Sequence, residues 1–507
     1  MRPDPYCEYT LSHGGITMKE VDLFVIGSGP AGQRAAIQAV KLGKTAIVAE
    51  RRRTVGGVCT NTGTIPSKTL REAILYLSGF RQRAVYGRGY HVKRRVTFED
   101  LMHRVNHVIR HEVEVARDRM ERNGVEIVEG TATFEDANTV WVKSEDESRK
   151  YRAERIIIAT GSTPYRARRV PFNNTNIIDS DSMWEDGFSL DTLPRSMLII
   201  GAGVIGTEYA CMFSALGMDV ALLDRRQELL RFIDEELNEA LLYHMRNERV
   251  TLYLGHDFKD IRLDERGKVL TTLANDREIK TEMLMFCSGR AGATSSLNLE
   301  AAGVELENRG LIPVNDNLQT TVPHIYACGD VIGFPALAST SMEQGRRAAC
   351  HAFEHPFKSD SELMPYGVYT IPEISVVGKT EQDLSDGSVP YEVGIARYRE
   401  IAKGQIIGDS TGMLKLIFHQ KTGQLLGVHI IGEGASELIH IGQAVMTYGG
   451  SISYFVDTVF NYPTLAEAYK IAALNGLKRV GRQTIAAEEF DAPQGEIIDS
   501  PEEATTS

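Results

Sequence analysis

The sequence predicts an α/β fold with two Rossmann-like dinucleotide-binding domains and a C-terminal α+β domain. Three observations carry this. A turn with GxGxxG spacing occurs twice, at Gly27, Gly29 and Gly32 and again at Gly201, Gly203 and Gly206. Each copy follows an apolar run, opens a helix-like stretch and is trailed by an acid, Glu50 or Asp224, 18 residues after its third glycine. From about Leu363 the pattern changes to apolar–polar alternation without such a fingerprint. With 46 glycines in 507 residues a bare GxGxxG arises by chance roughly 0.4 times, so context and repetition carry the signal, not the spacing.

The first unit is "VDLFVIGSGPAGQRAAIQAVKLGKTAIVAE". Leu23 to Ile26 reads as a buried strand, "AGQRAAIQAVKLG" as a helix stopping at Gly43, and "TAIVAE" as a second strand ending on Glu50. The second unit, "SMLIIGAGVIGTEYACMFSALGMDVALLD", repeats the order and ends on Asp224. In this motif the first glycine makes the tight turn, the second lets backbone approach a pyrophosphate, and the third lets helix and strand pack closely. The helix N-terminus offers unpaired N–H groups to the phosphates, and the acid accepts from ribose hydroxyls. Two such units imply two dinucleotides, one passing electrons to the other.

Between and after them, "RIIIATGSTP" and "HIYACGDVIGFPALAST" read as strands running into small-residue turns suited to backbone crossing beside a cofactor. "YGVYTIPEISVVGKT" and "GMLKLIFHQKTGQLLGVHIIG" read as antiparallel strands with a hairpin at "KTGQ". Helical patterns follow in "ELIHIGQAVMTYG" and "PTLAEAYKIAALNGLKR".

A net charge of −12 argues against a nucleic-acid partner. No apolar run approaches a membrane span. The N-terminus has no apolar core or cleavage signature, and the six cysteines form no CxxC pair. Reduced thiols in a cytoplasmic protein are the expectation. Residues 1–19 read as a disordered extension, with Met18 an alternative start, and residues 484–507 as a disordered acidic tail.

These features together resemble the pyridine nucleotide–disulfide oxidoreductases, the family of glutathione, dihydrolipoamide and mercuric reductases. The resemblance covers roughly residues 20 to 482 and rests on both glycine turns, "GGVCTNTGTIPSK", "IIIATGS", "YACGDV" and "YPTLAEAY" in the family's order. It implies an FAD-binding domain over 21–168 and 291–360, an NAD(P)-binding domain over 169–290, and a dimerisation domain over 361–483, with one FAD per subunit and a homodimer or higher homo-oligomer. Glu50 would hold the adenosine ribose of FAD and Asp330 the ribityl chain.

The family's redox pair of cysteines is half missing: the first position is Cys59, the flavin-proximal second is Thr64. The family's acid–base histidine, in HPTxxE, is replaced by Tyr462 ahead of Pro463, Thr464 and Glu467. Dithiol chemistry is lost while the cofactor turns stand. "GTIPSKTLREA" and "VFNYPTLAEAYK" are most similar to the family's transhydrogenase branch. That resemblance implies hydride transfer between NADPH and NAD+ through FAD, which needs no protein nucleophile. The alternatives are an NAD(P)H:quinone or dye reductase on the same scaffold, a disulfide reductase using Cys59 alone, and a non-enzymatic flavin scaffold or redox sensor.

The resemblance assigns Lys68 and Glu208 as an ion pair beside the flavin and nicotinamide. Otherwise they read as a helix-start lysine and a first-turn acid favoured by the helix dipole. Asp224 with Arg225 and Arg226 implies a site for either NAD(H) or NADP(H), because an acid takes the 2′-OH and an arginine the 2′-phosphate. A solvated loop is the competing account of the two arginines. Gly57, Cys59, Thr64, Gly161, Gly289 and Gly329 complete the expected cofactor-binding set. Thr64 and Tyr462 are expected to line the pocket, Tyr462 otherwise packing or capping a helix that Pro463 would open; the resemblance implies that the Tyr462 segment lies across the dimer interface, at the partner's active site. His103, His107 and His111 share a helical stripe, but without HExxH or neighbouring cysteines they predict a solvated or partly buried face, not a metal site. Cys287 and Cys328 are expected core thiols.

Overall fold

The computed structural model describes residues 10–11, 17–185, 187–357 and 363–480. The acidic tail at 484–507 and most of the 1–19 extension lie outside them.

The first apolar run forms the strand Thr17–Ile26, central to an eight-stranded sheet. It pairs in parallel with Ala46–Glu50 on one side and Ser148–Ile158 on the other. Glu126–Glu129 extends the parallel order beyond Ala46–Glu50, and Ile325–Ala327 adds in parallel to the end of Ser148–Ile158. Thr131–Phe134 and Thr139–Lys143 close the other side as antiparallel strands. The apolar strands are buried on both faces: helices Pro30–Lys41 and Ala338–Ala352 pack together over one, and Leu297, Leu299, Val304 and Ile312 cover the other.

The second unit repeats the design in a five-stranded parallel sheet, ordered Val250–Leu254, Asp219–Asp224, Ser196–Ile200, Met283–Phe286, Ile177–Asp179. The chain passes between the two sheets through Ser162–Pro164 and Arg290–Gly292, which pair antiparallel with each other. The remaining alternating segments form a five-stranded antiparallel sheet of Tyr366–Val368, Ile374–Gly378, Leu425–Ile431, Met413–His419 and Tyr391–Arg397. Helices Ala435–Thr447 and Glu467–Val480 cover it.

The two glycine turns superpose in their chemistry. The Gly27 amide donates to Ala49 O at 2.8 Å and the Gly201 amide to Leu223 O at 2.8 Å. A Cβ on Gly32 would lie 1.9 Å from Gly27 O, and one on Gly206 1.8 Å from Gly201 O. Each third glycine is therefore a packing necessity. Gly206→Ala is expected to cost about 1–3 kcal/mol or more through overpacking. Urea unfolding of the purified variant measures this; an unchanged midpoint would mean that helix Val204–Ala215 can shift freely.

Two expectations need correction. Pro463 does not open the last helix, which begins at Glu467; Tyr462 and Pro463 sit in a bend ahead of it, where Thr464 Oγ1 donates to Asn461 O at 2.7 Å. Cys287 is only half-buried, whereas Cys328 is fully buried in the core beside Ile157 and Tyr326. His103, His107 and His111 lie exposed along helix Phe98–Arg122.

Candidate active site

Both glycine turns open on a single cavity of about 1120 Å³. The crossing strands bring the C-terminal ends of the two parallel sheets together there, where doubly wound sheets bind ligands. Of the expected catalytic and cofactor-binding residues, all but Gly32 and Gly206 line it. Those two are the packing glycines, whose faces are turned to their own strands.

The residues present suit two dinucleotides. At the middle glycines, Gly29 and Gly203, an added Cβ would meet no atom within 4 Å, so bare backbone faces the cavity. Both glycines are helix N-caps with no side-chain cap, leaving the helix N–H groups of Pro30–Lys41 and Val204–Ala215 to an incoming phosphate. The trailing acids are held alike. Glu50 Oε2 accepts from Ser28 N at 3.1 Å and Ser28 Oγ at 2.6 Å, while Asp224 Oδ2 accepts from Ala202 N at 2.7 Å. Each acid also accepts from the amide two residues on, Arg52 N at 3.0 Å and Arg226 N at 2.8 Å.

The second copy differs in one respect. The Arg226 guanidinium wraps Asp224, with Nε at 3.0 Å from Oδ1 and a terminal nitrogen at 2.8 Å from Oδ2. Burial raises the Asp224 pKa, but the hydrogen bonds from Arg226 and the Ala202 amide outweigh it and bring the carboxyl below its ordinary value. Arg225 is exposed to the cavity beside this pair.

Between the turns stand Lys68, on helix Thr64–Leu77, and Glu208, on helix Val204–Ala215. Lys68 Nζ donates to Glu208 Oε2 at 2.6 Å. The other oxygen of Glu208 accepts from the backbone amide of Tyr369 at 2.8 Å, and the Lys68 ammonium lies 4.9 Å from the centre of the Tyr369 ring. One buried carboxylate thus ties together helices beside both sheets and the C-terminal domain.

A second network has no motif in the sequence. Arg290 forks onto Asp181 at 2.8 and 3.1 Å and donates to Ser162 Oγ at 2.8 Å; Ser162 Oγ donates to Asp330 Oδ2 at 2.8 Å. Burial works against the Arg290 charge, but Asp181 more than restores it and raises its pKa. Asp330 is thereby fixed on the cavity wall by groups from both crossing strands. Only "SGR", directly after a strand, hinted at Arg290; Asp181 lies 109 residues away with no local signal.

Cys59 and Thr64 both line the cavity, and Cys59 is a free thiol. Burial pushes its pKa up, against a hydrogen bond with Thr64 that pulls it down. Among the described residues there is no disulfide. Within one chain Tyr462 does not line the cavity; it is 72% exposed on the C-terminal domain, on the segment that the resemblance places across the dimer interface.

Two glycine turns, two trailing acids and one shared cavity define an oxidoreductase scaffold built around two dinucleotides. The pyridine nucleotide-disulphide oxidoreductase model matches residues 21–345, and the dimerisation-domain model of the same family matches 364–473. The chain belongs to this family. It is 52% identical over 467 residues to the soluble pyridine nucleotide transhydrogenase of Mycobacterium tuberculosis (strain ATCC 25177 / H37Ra), covering 91% of this chain and 98% of that one. Identity to the soluble pyridine nucleotide transhydrogenase of Yersinia enterocolitica is 45%, over 90% of this chain and 98% of that one. Among solved structures it is similar to the HOCl-induced flavoprotein disulfide reductase RclA from Escherichia coli, with a TM-score of 0.79 and 25% identity over 89% of this chain and 99% of that one. No helix among the described residues is long and apolar enough to cross a membrane.

Proposed function

We propose that this chain is an FAD-dependent transhydrogenase that moves hydride between NADPH and NAD+ and uses no redox disulfide. The observation that carries the reading is the pairing of Cys59 with Thr64 on a cavity whose two dinucleotide turns are complete. When bound, the isoalloxazine ring of FAD supplies the two-electron chemistry, accepting hydride from one nicotinamide and returning it to another.

The chain's own groups bind and orient. The turn at Gly27–Gly32 with Glu50, Gly57, Gly161, Gly329 and Asp330 would hold FAD. The turn at Gly201–Gly206 with Gly289 and Asp224 would hold the nicotinamide nucleotides in alternation, donor product leaving before acceptor binds. Lys68 and Glu208 set the charge where the two meet. The Cys59 thiol, its pKa raised by burial, stays protonated at neutral pH and takes no part.

Dual coenzyme use follows from the Asp224–Arg226 pair. Arg226 occupies the oxygens that a ribose diol would use, so NAD(H) must displace it, whereas a 2′-phosphate recruits it. Arg226→Ala is expected to weaken NADPH binding about tenfold and to leave NADH binding unchanged or tighter. Titration of each coenzyme by fluorescence decides it. Equal loss of both would make the arginine a general binding residue, and no change would return it to a solvated loop.

A homodimer through the C-terminal domain accounts for the exposure of Tyr448, Val459 and Tyr462, at 86%, 90% and 72%. A cytoplasmic location accords with the free cysteines.

The deciding assay mixes purified protein with NADPH and thio-NAD+ and follows thio-NADH, with menadione in a parallel reaction. Rapid thio-NADH formation, unchanged in Cys59→Ser, is expected. Negligible thio-NADH with fast menadione turnover would instead make the protein a quinone reductase.

A further inference from the structure

Seven arginines line the cavity, and their partners sort them. Arg169 is bound to Asp257, Arg226 to Asp224 and Arg290 to Asp181. Arg51 and Arg52 directly follow Glu50 at the first turn. This leaves Arg225, which follows Asp224, and Arg309, neither of which makes an ion pair among the described residues.

Arg309 is held in an unusual way. It sits in the short turn Asn308–Gly310 with φ 61° and ψ 23°, the left-handed region that a non-glycine residue rarely adopts. The turn is clamped from both sides. Glu307 N donates to Leu311 O at 2.8 Å, Gly310 N to Glu307 O at 3.1 Å, and Thr294 Oγ1 to Gly310 O at 3.0 Å. Gly310 O lies so close to Gly292 that a Cβ there would meet it at 2.1 Å. The strained backbone is thus locked onto the crossing strand Arg290–Gly292.

The guanidinium this turn projects packs on the Tyr165 ring, 5.0 Å from its centre. It also fills the space over Gly289, where a Cβ would lie 2.6 Å from a terminal nitrogen. Gly289 is three residues beyond the strand Met283–Phe286, whose neighbour Ser196–Ile200 ends in the second glycine turn. A Cβ on Gly201 would itself touch Cys287 O and Ser288 Oγ. A free cation from the first domain is therefore preset at the ligand-binding end of the second sheet.

We propose that Arg309 is a binding residue for the pyrophosphate of the nicotinamide dinucleotide, supplied across the domain boundary. The inference rests on the reading that the second turn holds that dinucleotide. Stacking on Tyr165 and backbone strain in place of side-chain freedom preorganise a planar fork, and such a fork suits phosphate oxygens better than an ammonium does. NAD(H) and NADP(H) share the pyrophosphate, so Arg309 serves both coenzymes alike, in contrast to Arg226.

The test is binding of ADP-ribose, NADH and NADPH to FAD-loaded wild type and to Arg309→Gly and Arg309→Lys, by calorimetry. Glycine suits the left-handed backbone, so Arg309→Gly is expected to fold and retain FAD. The expected result is a loss of roughly ten- to a hundredfold in affinity for all three ligands in Arg309→Gly, with partial recovery in Arg309→Lys. Unchanged ADP-ribose affinity in Arg309→Gly would overturn the inference while leaving the second site intact. A loss confined to NADPH would move the residue to the 2′-phosphate, and loss of bound FAD would assign it to the first site; either overturns it. Failure of wild type to bind ADP-ribose would remove the underlying reading as well.

Discussion

Glu208→Gln is expected to slow bleaching of bound flavin by NADPH about 10²-fold and to raise the flavin midpoint potential by some tens of millivolts. The substitution keeps size and shape, and the amide oxygen can still accept from the Tyr369 N–H that now meets Glu208 Oε1 at 2.8 Å. What disappears is the negative charge 2.6 Å from Lys68 Nζ. The amide NH2 then faces an ammonium, donor against donor, and Lys68 is freed to swing over the Tyr369 ring already 4.9 Å away. Removing a negative charge stabilises the reduced, more negative state of a neighbouring cofactor, so the potential must move upward. Lys68 keeps 27% of its side chain in solvent, which caps the stability cost below the roughly 3–5 kcal/mol of a fully buried broken pair. Stopped-flow absorbance gives the rate and a redox titration the potential. If neither moves, the pair is only a tie between domains.

Lys415→Met should cost about 3–5 kcal/mol of stability. Lys415 is 1% exposed and binds three carboxylates: Asp234 at 2.7 Å, Glu236 at 3.2 Å, and Glu381. Asp234, equally buried, caps helix Glu235–Asn247 of the second dinucleotide domain, and Lys415 lies on a strand of the C-terminal sheet. Without the ammonium three acids crowd one spot at the domain boundary, and the repulsion falls on the folded state alone. These acids have the spacing of a cation site, but the lysine already supplies the positive charge. Burial lowers the lysine's pKa, yet the hydrogen bonds it donates to Asp234 and Glu381 outweigh this and leave it raised. The tie is therefore complete below the ordinary lysine pKa and is lost as pH climbs through the raised one. Urea unfolding of wild type and variant at neutral pH measures the loss. A difference under about 1 kcal/mol would show that the carboxylates find other partners or take up protons.

The two dinucleotide units were legible in the sequence because everything they need is local. A strand, a turn, a helix and the acid that closes the turn all fall within about 30 residues. The spacing of Gly32 and Gly206 encodes a close approach to their own strand and turn, where a Cβ would lie 1.9 and 1.8 Å from Gly27 O and Gly201 O. The hairpin at "KTGQ" was legible for the same reason. Tyr462 shows the limit. The resemblance implies a place across the dimer interface for its segment, and in one chain the residue stands 72% exposed, because no local pattern fixes which surface it meets.

The sequence by itself determined the architecture, the two glycine cradles, the acids that follow them and the loss of one cysteine of the expected pair. These depend on backbone conformation and short-range packing, which residue type and spacing specify directly. Only the tertiary structure decided that Arg226 covers Asp224, that Arg290 and Asp181 brace Asp330, that a Tyr369 backbone amide holds Glu208, and that Arg309 packs over Gly289 and Tyr165. The Arg226 guanidinium is one rotamer among several open to its side chain. The other contacts join groups as much as 168 residues apart, or use an amide that every residue type but proline carries. No pattern of side chains along the chain encodes such pairings; the packing of three domains around one cavity does.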